Sequence, residues 1–303
     1  MRAAGWADGQ DGGRGLVPMR GVAPRGFNVR PMSTADLEPV PSPAPAGAAV
    51  RELQPLSPAD PFRWLRAGWG DLLAMPGIAL FYGICFWLMA VTLAAVFRSV
   101  PQYTISFVSG CFLVGPFLAM GLYEASRRRE QGLPSSLGAS LTCWDSHLGS
   151  MGMLVLVLLL LELLWGRASL VVFAVFFNTG MPSTAGVLEA VFNPKNWQFI
   201  AVYLAVGGVF ALLVFSTCVV AIPMILDRDT DAISAGIASI QLVAERTGVM
   251  LLWGALIVAL LLAALLLPWS AGLLLVGPWL GHATWHAYRG CFAWRPSAHV
   301  SAS

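Results

Sequence analysis

Apolar residues run almost unbroken through six stretches, approximately 78–97, 105–124, 150–177, 197–226, 249–267 and 270–288. Each is close to the twenty residues that span about 30 Å of hydrocarbon at about 1.5 Å per residue. The pattern predicts six transmembrane helices. The third and fourth are longer than a span needs, so they are expected to tilt or to project where they are joined, near 178–196. Proline interrupts the second member of each pair, at Pro116, Pro223 and Pro278, and Gly115 and Gly277 precede two of these prolines. A helical proline lacks an N–H and displaces the carbonyl four residues earlier, here on Phe112, Val219 and Leu274. The freed oxygens are expected to face the bundle interior, where protein or water can satisfy them, the prolines serving either as kinks that improve packing or as part of a solute site.

Between the spans the periodicity changes. Leu65, Trp69, Leu72 and Leu73, and then Ile233, Ile237, Ile240 and Val243, recur at helical spacing in otherwise mixed segments, which predicts short amphipathic helices lying at the membrane surface. The segments AGWGDLLAMPG, ASLTCWDSHLG and ASIQLVAERTG share their Ala-to-Gly spacing, and each precedes a span. LVGPFLAMGLYEASRR (113–128) aligns with LVGPWLGHATWHAYRG (275–290), so that Tyr123 meets Trp285 and Arg127 meets Arg289. GIALFYG (77–83) aligns with GVMLLWG (248–254). The expected architecture is all-α: three helical hairpins in parallel orientation, each preceded by an interfacial helix, in repeats of about 61–132, 133–230 and 231–290. Such copies can be related by an axis along the membrane normal.

The polar residues orient this scaffold. Eight arginines from Arg2 to Arg66, then Arg127 to Arg129, Arg228 and Arg246, and finally Arg289 and Arg295 fall on one side, against Arg98 and Lys195 on the other. Positively charged loops stay in the cytoplasm, so both termini are expected there, with the chain multiply spanning an inner membrane. Trp64, Trp69, Tyr123, Arg127, Trp285, Tyr288 and Arg289 fall near the predicted boundaries and are candidate interfacial anchors, and the basic rim is expected to meet anionic lipid. Composition agrees: of 303 residues, 57% are hydrophobic and 11% charged, with a mean hydropathy of +0.71, far from the roughly 25% charge of soluble domains. Residues 1–60, rich in Gly, Pro and Arg, are expected to form a disordered cytoplasmic tail, with 291–303 a second short tail. No apolar run of signal-peptide length opens the chain, so a cleaved leader is not expected; Met19 or Met32 could equally serve as the start.

Three groups carry candidate chemistry. His282 and His286 lie four apart on one helical face, the spacing of a two-histidine haem or metal site; their place beside Trp285, Tyr288 and Arg289 favours an interfacial role. Glu162, in LLLLELLWGRASL, is expected about 18 Å into the bilayer, where a carboxylate must be protonated or paired. It is therefore a candidate proton relay or cation partner, or else a hydrogen-bonding group between helices. Arg167 is a second intramembrane candidate but lies about 140° around the helix from Glu162, poor geometry for a pair. LDRDTDA opens like a calcium loop yet has Ala232 and Ala238 at its sixth and twelfth positions; Asp231 is expected to cap a helix starting at Ala232. The five cysteines show no ligand spacing, and no catalytic or nucleotide-binding motif is present. Neither a metal nor a cofactor is expected. The expected partner is the lipid bilayer, joined by other membrane proteins but not by nucleic acid.

PFRWLRAGWGD, LVGPFLAMGLYEASRR, IPMILDRDTDA and LVGPWLGHATWHAYR together resemble the bacterial family of integral membrane proteins known as domain of unknown function 2189, across about residues 50–290. The resemblance implies a membrane fold without an assigned activity. Some members are labelled cytochrome c oxidase subunit I. That subunit has twelve spans and six metal-binding histidines, whereas this chain has four histidines in all. The leading expectation is a non-catalytic accessory or scaffold protein of an envelope or respiratory assembly, not an enzyme. The alternatives are a small-solute or proton-coupled transporter using Glu162, and a haem or metal redox subunit using His282 and His286.

Overall fold

A computed structural model describes residues 50–100, 103–177 and 193–295. These residues form helices throughout, apart from one pair of short strands. In chain order the elements are β1 (Val50–Leu53), α1 (Asp60–Ala74), α2 (Pro76–Ser99), α3 (Thr104–Glu130), α4 (Leu137–Thr142), α5 (Leu148–Phe176), α6 (Trp197–Cys218), α7 (Ala221–Arg228), α8 (Ala232–Glu245), α9 (Thr247–Leu266), α10 (Leu273–Cys291) and β2 (Phe292–Arg295). Local chemistry sets several boundaries. Proline occupies the first turns of α1 and α2, where its missing N–H costs nothing. The Ser136 side chain caps α4 by accepting from the Ala139 N–H, and Asp231 caps α8 as its sequence context predicts, accepting from the Ser234 N–H at 2.8 Å.

Five segments are long and apolar enough to cross a membrane: Pro76–Ser99, Phe107–Glu130, Leu137–Phe176, Trp197–Arg228 and Thr247–Leu266. The chain is an integral membrane protein with several apolar helices. The outward faces of these segments are greasy: Leu80 and Leu88 on α2, Leu160 and Leu164 on α5, Leu204 on α6 and Leu262 on α9 are all exposed on the protein surface, as hydrocarbon solvent requires. The sixth expected span is helical as α10, beginning at Leu273 rather than 270 because Pro268–Ser270 forms a separate 3-10 turn. It does not reach the apolar character of the other five, since His282, Thr284, His286 and Arg289 dilute it. Protein covers much of this helix: α1, α2, α3 and α9 all pack on it, and His282, Ala283, Trp285, Ala287 and Tyr288 are buried, while Leu275 near its start is exposed. A helix so enclosed is free to carry polar side chains that a lipid-facing helix is not.

Helix α2 packs on α3, α5 on α6 and α9 on α10. The proline positions behave unequally. Pro116 and Pro278 sit inside continuous helices, both buried. At Pro223 the fourth segment breaks, α6 ending at Cys218 and α7 starting at Ala221, so the interruption falls on Val219, the residue whose carbonyl the proline ring displaces. The oxygen freed by Pro278, on Leu274, faces Gly83 of α2 so closely that a Cβ at Gly83 would collide with it. Gly68 of α1 meets the Ala283 backbone of α10 in the same manner. Glycine at these two contacts lets backbones approach, the packing device membrane helices use in place of a hydrophobic driving force.

The helix expected to lie along the surface at 232–245 has apolar residues on two faces. Ile233, Ile237 and Ile240 point outward, whereas Ala235, Ala238, Ser239 and Leu242 are buried against the bundle. The strands were not legible as strands. Val50–Leu53 belongs to the segment expected as the long tail and Phe292–Arg295 to the short one, yet they pair antiparallel with Leu53 opposite Phe292 and Val50 opposite Arg295. Residues 1–49 and 296–303 of the two tails, and the 178–192 connection where the long helices were expected to project, lie outside the described residues.

Candidate functional site

Charged side chains gather where α1, α3, α7 and α10 meet, at the bundle end that carries β1 and β2. Asp71, on the last turn of α1, is buried. It pairs with Arg129 of α3 and with His286 Nε2 of α10, the latter at 2.9 Å. Burial is the largest influence on Asp71 and pushes its carboxyl up, but hydrogen bonds from His286, Ser126 and Arg129, with the His286 charge, outweigh it and hold the carboxyl below its usual range. Ser126 Oγ also lies 2.8 Å from Nδ1 of His282, a fully buried ring. The chain of contacts from Arg129 and His286 through Asp71 and Ser126 to His282 therefore joins three helices.

A second group flanks it. Glu130 accepts from Trp285 Nε1 at 3.0 Å and pairs with Arg289 at 2.9 Å. Asp227 accepts from Tyr288 Oη at 2.8 Å and lies 3.1 Å from Arg228, whose guanidinium stacks 4.4 Å above the Trp294 ring of β2. On α3 itself the buried Glu124 receives both Arg127 and Arg128, at 2.7 and 2.8 Å. The basic rim expected to face lipid headgroups is thus turned largely onto carboxylates. Those acids were visible in LYEASRRRE, where Glu124 and Arg128 stand at the i, i+4 spacing of a helical ion pair. Asp71 had no such local signal, because its partners are more than fifty residues away in sequence.

Several expected anchors are core residues. Trp285 and Tyr288 are 1% and 0% exposed, and their polar tips find Glu130 and Asp227 rather than the headgroup layer. Trp64 is buried edge-on against Trp253 at 5.6 Å, and Tyr123 is buried. Trp69 is partly exposed and stands edge-on to Trp279. Arg127 is half-buried and Arg289 exposed, each in an ion pair. The two histidines take different partners, Ser126 and Asp71. Among the described residues no cluster of three His, Cys, Asp or Glu side chains is placed to hold a metal ion. The aspartates of LDRDTDA also diverge, Asp227 toward Tyr288, Asp229 toward His147 and Asp231 onto its own helix.

Glu162 stands apart from this end. It is buried in α5 and accepts a hydrogen bond from Ser109 Oγ of α3 at 3.0 Å, while Arg167 is exposed. A cavity of about 380 Å³ between α2, α3, α9 and α10 is lined by Phe86, Tyr123, Ile257, Gly277 and Thr284 among others, and Gly277 here lets the Phe86 ring pack where a Cβ would collide with it. Gly115, its counterpart in α3, does not line it. Glu162 does not line it either.

This arrangement crosses the region that known proteins share. Residues 103–227 match the family described as predicted integral membrane protein, DUF2189. The DUF2189 region runs from the start of α3 to Asp227 in α7, so it contains Ser109, Glu124, Ser126, the three adjacent arginines, Glu162 and Asp227. Asp71, His282, His286 and Arg289 lie outside it. No curated protein and no solved structure matches the chain. The match carries a membrane assignment and no activity.

Proposed function

We propose that this chain is a six-span inner-membrane protein with both ends in the cytoplasm, acting as a non-catalytic accessory or scaffold in an envelope or respiratory assembly. The pairing of β1 with β2 supports the even count. Strands flanking the first and last helices must share a side, so α10 serves as the sixth crossing despite its polar residues. The arginine tally supports the cytoplasm as that side. The three hairpins are read as like-facing repeats, the first and third retaining their inner proline within an unbroken helix.

One observation carries the scaffold reading: the carboxylates of the polar end are spent on side chains of the protein itself, joining α1, α3, α7 and α10 into one block, with the buried His282 Nε2 left without a partner among the described residues. An active or transport site keeps convergent polar groups available to a ligand. Here the carboxylates are occupied by arginine, histidine, tyrosine and tryptophan, and Glu162 by Ser109. That geometry supports a structural role for Glu162 over a proton-coupled transporter. Meanwhile Ile233, Ile237 and Ile240 give α8 an exposed apolar face, suited to a membrane partner. Purification from native membranes in mild detergent is expected to retain at least one protein at a fixed stoichiometry, and Ile237→Arg is expected to release it while the chain itself stays folded. Recovery of the chain alone under all mild conditions contradicts the reading.

A further inference from the structure

The opposite end of the bundle holds the larger cavity, about 560 Å³, between the end of α2 and the turn joining α9 to α10. Its volume falls in the roughly 300–1,000 Å³ range of ligand sites. Val91, Ala94 and Arg98 line it from one face of α2, and Leu265, Trp269 and Ser270 close it from the other side. From Val91 to Arg98 the wall runs about 10 Å along the helix axis, at 1.5 Å per residue. It is apolar until its last turn and ends in a guanidinium. The shape is that of an amphiphile: a hydrocarbon-lined slot in the membrane with a cation at its mouth.

The mouth is held in place. Trp269 and Ser270 adopt φ of 60° and 57°, left-handed conformations that bulky or Cβ-bearing residues rarely take. Trp87 Nε1 of α2 donates to the Trp269 carbonyl at 2.9 Å and fixes the turn against the cavity. Strain of that kind persists where surrounding contacts over-determine it. The Trp269 ring is 81% exposed, where an indole at the interface can cover a lipid glycerol region. Among the described residues Arg98 forms no ion pair, in contrast to Arg127, Arg128, Arg129 and Arg289 at the other end.

We infer that this cavity binds one anionic phospholipid, its phosphate held by Arg98 beside Ser270 and one acyl chain lying along Val91, Ala94 and Leu265. Guanidinium matches phosphate oxygens in a fork; phosphatidylcholine offers the same phosphate, but its ammonium neutralises that charge and repels the Arg98 cation, so the lipid with net negative charge is the better ligand. On the six-span topology proposed above this site lies in the outer leaflet; the binding itself does not rest on that topology.

Native mass spectrometry of the purified full chain, with added phosphatidylglycerol or phosphatidylcholine, tests the inference. Phosphatidylglycerol is expected to give one retained adduct and phosphatidylcholine a weaker one. Arg98→Gln is expected to weaken phosphatidylglycerol roughly fivefold, the equivalent of about 1 kcal/mol for one interfacial arginine. Arg98→Lys should restore most of it, and Ala94→Trp, which fills the slot, should remove the adduct without restoring preference. Equal binding of the two lipids, or an Arg98→Gln variant with unchanged affinity, overturns the proposal. So does displacement of the lipid by millimolar inorganic phosphate, which would make the site a free-anion site. Thermal unfolding of each variant alongside separates loss of the site from loss of the fold. If lipid selectivity holds but Trp269→Cys reacts only from the cytoplasm, the topology fails and the binding site stands.

Discussion

The two ends of this helical bundle solve the same problem in opposite ways. At the end bearing β1 and β2, arginines meet carboxylates from other helices, and buried Trp285, Tyr288 and His282 fill the space between them. At the other end, Arg98 stands beside an open cavity, the α9–α10 turn is strained, and Trp269 and Leu266 project outward at 81% and 86% exposure. Charge neutralised within the protein produces a closed, rigid junction; charge left at a membrane boundary beside an apolar slot produces a place for something else. The count of arginines is a guide to sidedness at both ends. It does not reveal which arginines face lipid.

The closed end is the easier to break. The largest effect is expected from Gly83→Val, which drives a branched side chain into the Leu274 carbonyl and forces α2 away from the central helix α10. Overpacking of this kind costs about 3 kcal/mol and should be read as a large loss of thermal stability in detergent; an unchanged melting profile would mean that the two helices do not approach as described. Asp71→Asn comes next. It leaves Arg129 and His286 without their common carboxylate and is expected to cost about 2 kcal/mol.

Acid should reproduce part of that loss. Asp71 is held below its usual value of 3.8, so its contribution is present above about pH 4 and disappears as pH falls through the depressed folded value. Unfolding measured from pH 7 downward is therefore expected to separate wild type from Asp71→Asn at the upper end and to narrow the gap as pH falls below 4. Parallel curves would remove Asp71 from the account. The smallest effect is expected at Glu162→Gln. Its amide oxygen can still accept from Ser109, so stability should change by less than about 1 kcal/mol, whereas a Glu162 that carries protons would show its loss in flux rather than in stability.

What the sequence made legible follows the same division. Of the six apolar runs, five correspond directly to helices long and apolar enough to cross a membrane, because lipid-facing helices must be apolar on their outer surfaces, and the Asp231 cap was readable because capping is local. α10 was found as the sixth apolar run and from its likeness to the first hairpin, but its close packing against protein depends on Gly68, Gly83 and the helices beside it. The strand pair escaped notice since two four-residue segments at opposite ends of the chain gain their order only from each other. The Asp71 junction was missed for a related reason: Arg129 and His286 reach Asp71 from positions 58 and 215 residues away, and nothing in a local window marks that meeting. By contrast the acids beside the arginine run were in plain view, and counting only the bases concealed them.

Sidedness tests the account most directly. In a chain whose five native cysteines are replaced by serine, Ser57→Cys and Ala293→Cys, at the two ends of the described chain, and Trp269→Cys, at the α9–α10 turn, would be treated in intact cells with a membrane-impermeant thiol reagent. Labelling of Trp269→Cys alone, with the other two reacting only after permeabilisation, is the predicted result. Reaction of Trp269→Cys and Ala293→Cys from the same side would mean that α10 does not cross the membrane.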